Sequence, residues 1–328
     1  MKRSKHNTYF LFLVVAVGVL ACQNSSFAAE TYPQKPIEVV VPFSPGGPTD
    51  IGIRIFVDQL SKILKNPFLV VNKAAGASVV GTTYVARAKK DGYTLLAGAS
   101  TPIVVAPITN PKEVTYDPLR DLEPIAHCFL NLACMAVRED TPFNTFEDLE
   151  KYVKANPGKL SVGVPGLTHP YFVFQIMKDY GLDMNLVVAN GAPQLTSYIL
   201  GGHVPVAMQH PGALGPYIRE KKLKGMVIFD NKRLRSFPNM PCITEKGYPK
   251  AALAFFVGFF APKGTPQPIV DILASALEQA SKNPEVTAKL DSMEYPVNFK
   301  RGPEFRALIE DHQKIIRDIA TKAKLIQN

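Results

Sequence analysis

The sequence predicts an α/β protein of two lobes, joined by two interlobe crossings, with a ligand cleft between them. Three observations carry that expectation. Apolar, β-branched runs alternate with segments whose apolar residues recur at helical spacing, a pattern that implies mainly parallel sheets covered on both faces. The alternation restarts near Met135, so the chain builds it twice. Beyond the apolar run Phe255–Phe260 the sequence reads as helices alone, and these pack most simply back on the first set. With 328 residues, 46% apolar and 20% charged, the chain has material for two domains and too few charges for disorder. It shows no repeat of fixed period and no sustained heptads.

Taken in order, residues 1–28 have the layout of a secretory signal peptide: Lys2, Arg3 and Lys5, then the apolar run Phe10–Ala21, then small residues. That run is shorter than the roughly 20 residues a membrane span needs. Ser26-Phe27-Ala28 suits cleavage before Ala29 and is favoured over Val19-Leu20-Ala21-Cys22, a lipobox-like stretch that would instead make Cys22 a lipid anchor. Either route leads to the periplasm. Ile37–Val41 is a strand, followed by a Pro and Gly cluster and a helix marked by Ile53, Phe56, Leu60, Ile63 and Leu64. Phe68–Val71 leads into a helix near Gly81–Ala88, and Tyr93–Ala97 closes the first set.

In the second set Met135–Val137 is a strand, and Thr145 with Asp148 forms a capping box at the head of a helix stopped by Asn156-Pro157-Gly158. Leu160–Val164, Leu186–Ala189, Val204–Met208 and Met226–Phe229 read as strands. Thr168–Tyr180, Pro193–Leu200 and Pro211–Lys221 read as helices between them. Helices over about 265–281, 284–291 and 302–324 end the chain. The expected first lobe is 31–130 with 252–328 and the second is 131–251, the crossings lying near 129–136 and 248–256.

Charge and side-chain chemistry exclude several function classes. Lys and Arg outnumber Asp and Glu by 37 to 28, a net charge of +9. The densest basic runs, Lys221-Lys222 with Lys224 and Lys232-Arg233 with Arg235, are short and lack interleaved aromatics, so nucleic acid is not an expected partner. No CxxC pair, Cys and His ligand spacing or HExxH occurs, and neither a metal nor a cofactor is expected. Cys128, Cys134 and Cys242 are an odd number of thiols in an exported chain, so at most one bridge can form, and Cys128 and Cys134, in apolar segments, read as buried free thiols. A Walker loop fails because Gly47 leads into Pro48-Thr49-Asp50 without a Lys, and a dinucleotide fingerprint fails because Gly76-Ala77-Ser78-Val79-Val80-Gly81 lacks its middle glycine. No GxSxG elbow is present, and the chain is not expected to be an enzyme.

Two loops between a strand and its following helix remain. Val41–Asp50 places two glycines just ahead of a helix start, where outward N–H groups and the helix dipole favour an anion such as a carboxylate. Asp50 would repel an acid, so it reads as a cap or brace. Ala74–Thr82 is a second small-residue loop, whose amides and Ser78 hydroxyl would approach the same anion from the side. Behind an export signal, two lobes joined by two crossings suit closure around a small solute.

These residues resemble a known family. Tyr32-Pro33-Gln34-Lys35-Pro36-Ile37, Pro42–Asp50 and Asp91-Gly92-Tyr93-Thr94-Leu95-Leu96 are similar to the periplasmic solute-binding proteins of tripartite tricarboxylate transporters, also called Bug receptors. The likeness continues through Asn156-Pro157-Gly158-Lys159-Leu160, Gly191-Ala192-Pro193, Arg233–Pro241, Glu245-Lys246-Gly247-Tyr248 and Ala261–Pro266. The resemblance implies a two-lobe periplasmic binding protein of the Venus flytrap type, a monomer that captures an organic acid and delivers it to membrane permease subunits. It implies a carboxylate held by Phe43, Ser44, Pro45, Gly46, Gly47 and Thr49 with Gly76, Ala77 and Ser78, and secondarily by Ser100 and Thr101. It assigns specificity to second-lobe loops represented by Thr168, His169, Ala192, Gln209 and His210.

The sequence departs from the family at Ala75 and Ala77, commonly glycine, at Pro48, which lacks an N–H, and at Ala189-Asn190-Gly191. Gln209 and His210 are neutral groups expected to donate to a second carboxylate or other acceptor. The competing functions are a receptor feeding a membrane sensor kinase and, lower, a secreted hydrolase of carboxylic esters.

Overall fold

A computed structural model describes residues 32–76 and 78–326. The segment expected to be a signal peptide, Cys22 and Ala77 therefore lie outside the described residues. β1 (Ile37–Val41) runs parallel to β2 (Phe68–Asn72) and β3 (Thr94–Ala99), with Val39 opposite both Val70 and Leu95. Its near-continuous apolar run follows from two covered faces: Val39 and Val41 enter one apolar core, and Val40 between them enters another. α1 (Pro48–Leu64) buries Ile53, Phe56, Val57 and Leu60 at helical spacing, and α2 (Val79–Ala86) links β2 to β3.

The first-lobe sheet is completed by β4 (Leu122–Asn131), β10 (Phe255–Pro262) and β11 (Val297–Arg301), in the order β11-β4-β10-β3-β1-β2. It is mixed rather than mainly parallel, because β10 is antiparallel to both β3 and β4. β4 carries the chain out of the lobe and β10 brings it back, so these neighbours must run in opposite directions. Close contact at β10 requires Gly258, where a Cβ would stand 2.5 Å from the Ala126 carbonyl and 2.6 Å from the Phe305 ring.

The second sheet holds β5 (Cys134–Arg138), β6 (Ser161–Val164), β7 (Asn185–Val188), β8 (Val206–Gln209) and β9 (Leu223–Ile228), in the order β7-β6-β8-β5-β9. β6, β7 and β8 are parallel, and β5 is antiparallel to β8 and β9. Helices α4 (Phe146–Ala155), α5 (His169–Asp179), α6 (Ala192–Leu200) and α7 (Pro211–Arg219) follow successive strands. The capping box expected at Thr145 and Asp148 is formed, each side chain accepting the other's backbone N–H.

After β3 a π-helical turn (Thr101–Val105) runs into α3 (Ala106–Thr109). The chain ends with α8 (Gln267–Ser281), α9 (Pro284–Ser292) and, after β11, α10 (Gly302–Lys322). β11 corrects the expectation of helices alone in this segment. One apolar core runs through both lobes, joining Phe172 of α5 to Phe255, Phe256 and Phe305, and Lys322 of α10 pairs with Asp179 of α5 at 3.0 Å. Cys128, Cys134 and Cys242 are buried free thiols, and burial pushes the first two far above the ordinary thiol range.

Candidate functional site

A cavity of about 330 Å³ lies between the lobes. Its first-lobe wall is made by Phe43, Thr49, Ala99 and Thr101, with Tyr295 from the turn between α9 and β11. Asn131, Leu132 and Phe255, beside the crossings, form another part. The second lobe adds Pro165, Thr168, His169, Pro170, Gly191, Ala192, Gln209 and His210. A larger hollow of about 790 Å³ runs beside α2, lined by Lys35, Tyr84 and Arg87 among others, and every residue of its lining belongs to the first lobe.

Four helix starts reach the interlobe cavity. Thr49 is in the first turn of α1, Thr168 and His169 begin α5, Gly191 and Ala192 begin α6, and His210 caps α7. First-turn amides have no intrahelical acceptor, and each N-terminus carries partial positive charge. No Asp, Glu, Lys or Arg lines the wall among the described residues. The positive partial charge that these helix starts bring to the cavity therefore comes from the main chain.

The first-lobe loop owes its shape to Asp50, whose side chain is 1% exposed. It accepts the Gly46 N–H at 2.9 Å, Arg54 Nε at 2.9 Å and Asn72 Nδ2 at 2.8 Å, while Asn72 Nδ2 also donates to the Phe43 carbonyl at 3.0 Å. Burial alone would push the Asp50 carboxyl up, but the bonds from Arg54, Asn72 and Gly46 outweigh it and hold the group ionised below its ordinary range. Gly46 turns the chain at φ +75°, a conformation that favours glycine. Arg54 and Asn72 were not singled out from sequence. Their signal was the four-residue spacing from Asp50 to Arg54 and a polar residue ending an apolar strand.

On the second-lobe side two polar residues are committed to the frame. His169 is 2% exposed, and its Nε2 donates to the Leu253 carbonyl in the segment returning to the first lobe. His210 Nδ1 accepts the Gly212 N–H at 3.1 Å, capping α7, and its ring lies 4.4 Å from that of Tyr295. Burial holds both imidazoles neutral, lowering His169 to about 4 and His210 to about 3. Gln209 is fully buried, with Nε2 bonded to Thr196 Oγ1 at 3.0 Å.

The other residues singled out from sequence stand elsewhere. Ser44, Pro45, Gly46 and Gly76 are exposed and Gly47 is half-buried, all outside this wall. Ser78 is buried at the start of α2 with φ +75°, also off the wall. Ser100 is buried with its hydroxyl oxygen accepting the Phe256 N–H at 2.9 Å, which ties β3 to β10. Asn131, Phe255 and Tyr295 on the wall were missed by sequence reasoning because distant segments bring them there. Among the described residues no cluster of His, Cys, Asp and Glu could hold a metal ion, and no helix is long and apolar enough to cross a membrane.

Comparison with known proteins agrees with this architecture. Residues 53–325 match the model of the tripartite tricarboxylate transporter family receptor. A protein encoded in the gbd 5′ region of Cupriavidus necator is 32% identical over 302 residues, covering 90% of this chain and 91% of its own. A TctC solute-binding protein from Polaromonas superposes with a TM-score of 0.77 at 26% identity, covering 89% of this chain and all of its own. MatC from Rhodopseudomonas palustris, solved with bound malate, gives 0.71 at 27% identity over 88% of this chain and 99% of its own. The chain belongs to the tripartite tricarboxylate transporter receptors, a family of periplasmic solute-binding proteins with a two-lobe α/β fold rather than of enzymes.

Proposed function

We propose that this chain captures a small organic acid between its lobes and delivers it to the permease subunits of a tripartite tricarboxylate transporter. The observation that carries this reading is the cavity onto which helix N-termini of both lobes open while no ionised side chain enters it. An anion there gains up to ~2 kcal/mol from a favourable, partly buried helix terminus without a dedicated cation. The malate-bound relative supports a carboxylate as cargo.

In this reading the carboxylate sits on the first-turn amides of α1, beside Phe43, Thr49 and Thr101. Thr168, Ala192 and Gln209 face the rest of the acid, while His169 and His210 shape the wall. Ser44, Gly46, Gly47, Gly76 and Ser78 approach the ligand only as the lobes close, and Ser100 supports the site from behind. An acid that touches both lobes has higher affinity for the closed form and shifts the population toward it. Residues 1–28 direct export, and the mature receptor works as a monomer.

Calorimetry on ligand-stripped protein, over di- and tricarboxylates, amino acids and aromatic acids, tests the reading. At least one acid should bind, and Ala192→Phe, which fills the cavity from the start of α6, should abolish binding without changing the melting curve. Undiminished affinity in Ala192→Phe, or binding of uncharged solutes alone, would contradict it.

A further inference from the structure

Gln209 ends β8 on the cavity wall, fully buried, and its carboxamide takes the orientation that leaves the Thr196 hydroxyl bonded on both sides. In that orientation Thr196 donates its single proton to the Ala192 carbonyl at 3.0 Å. Its oxygen is then an acceptor for Gln209, and the atom 3.0 Å from it must be Nε2. That places Oε1 on the other side of the carboxamide, where it is buried without a hydrogen-bond partner among the described residues. Buried carbonyl oxygens are rarely left so.

No described group of the wall donates to it. Thr168 donates its hydroxyl proton to the Pro165 carbonyl at 3.2 Å. His210 Nδ1 is fixed as an acceptor by the Gly212 N–H, and its Nε2–H, beside the Glu294 backbone, does not reach Oε1. A carboxylate, having only acceptors, would be repelled by Oε1.

We infer that Gln209 Oε1 accepts a hydrogen bond from the ligand, and that the cargo is an acid bearing a hydroxyl or N–H group on its body rather than a plain carboxylic acid. This rests on the carboxylate reading of the cavity: the negative end faces α1 and the donor faces β8. It reverses the role expected for Gln209 from sequence, that of a donor to a second carboxylate.

The test is calorimetry on ligand-stripped protein with acids paired by one hydroxyl: malate with succinate, lactate with propionate, mandelate with phenylacetate. In at least one pair the hydroxylated member should bind about tenfold tighter, the worth of one well-placed hydrogen bond. Gln209→Met, close in shape but without the acceptor, should reduce that preference to within about twofold. Thr196→Val, which frees the carboxamide to rotate, should also weaken the preference and covers the case of a misfolded Gln209→Met. Equal affinity within every pair, or a preference that survives both substitutions, would overturn the inference and leave the carboxylate reading standing. Failure of every acid to bind would overturn that reading and this inference with it.

Discussion

On the first-lobe side of the cavity, the Phe43–Thr49 turn is set by a buried carboxylate and reaches the wall at its two ends, where in the proposed reading the start of α1 meets the ligand with main-chain amides, whereas the second-lobe side presents Thr168, Gln209 and His210 side chains beside helix starts. Main-chain amides are the same whatever the sequence, so a seat made of them suits a group shared by all ligands. Side chains differ, so a wall made of them suits what distinguishes one ligand from another. The two halves should therefore fail differently when altered.

The largest effect is expected at Asp50. Asp50→Ala leaves the Gly46 N–H, Arg54 and Asn72 without their shared acceptor, and should cost about 2–3 kcal/mol of stability after allowance for solvent around half-exposed Arg54. Denaturant titration reads that loss. Calorimetry should show binding lost across the whole acid panel, whereas substitutions at Gln209 change only the ranking.

Acidification acts next, through buried histidines of both lobes. Burial keeps His127, His169, His210 and His312 neutral, with pKa values of about 3, 4, 3 and 4. In the unfolded chain histidine takes its proton near pH ~6.5, so the unfolded state binds more protons below that point. Their contribution is complete above pH ~6.5 and drains as pH falls toward ~4, by about 1.4 kcal/mol per histidine per pH unit. Asp50 has the same sign at lower pH: its depressed value makes its contribution complete above the unfolded carboxylate range near pH ~4, and it is lost as pH falls from there through the folded value. Melting temperatures should be level from pH 7 to 8 and decline below about 6.5, before Asp50 is protonated.

The smallest effect is expected at Thr101, whose hydroxyl in the proposed reading gives the ligand one neutral hydrogen bond. Thr101→Val should weaken every acid severalfold at most, by about 0.5–1.5 kcal/mol in calorimetry. A loss confined to one acid would show that the first-lobe side also selects.

What the sequence made legible follows the same division. β1, the Pro and Gly loop and α1 were readable because apolar run, breakers and helical period stand side by side, and Asp50 was readable as a brace because its charge is wrong for an acid's partner. β4 was not, since Pro124 and His127 interrupt its apolar run, and its pairing with β10 is broken by two register shifts. β11 was hidden by its polar, half-buried residues. Phe43, Thr49, Thr101, Thr168, His169, Ala192, Gln209 and His210 reach one wall because they flank strand ends, a local property. Asn131 and Tyr295 reach it through pairing across distant segments, which local pattern does not encode. The acceptor role of Gln209 depends on Thr196 and Ala192, a relation between hydrogen bonds that exists only in the folded chain.

The most direct measurement is a crystal structure of the protein loaded with an acid that binds in solution. The expected result is one carboxylate between the lobes, its oxygens within hydrogen-bonding distance of the first-turn amides of α1. A carboxylate held instead by lysine and arginine side chains on the outer surface, with the interlobe cavity empty, would contradict the account.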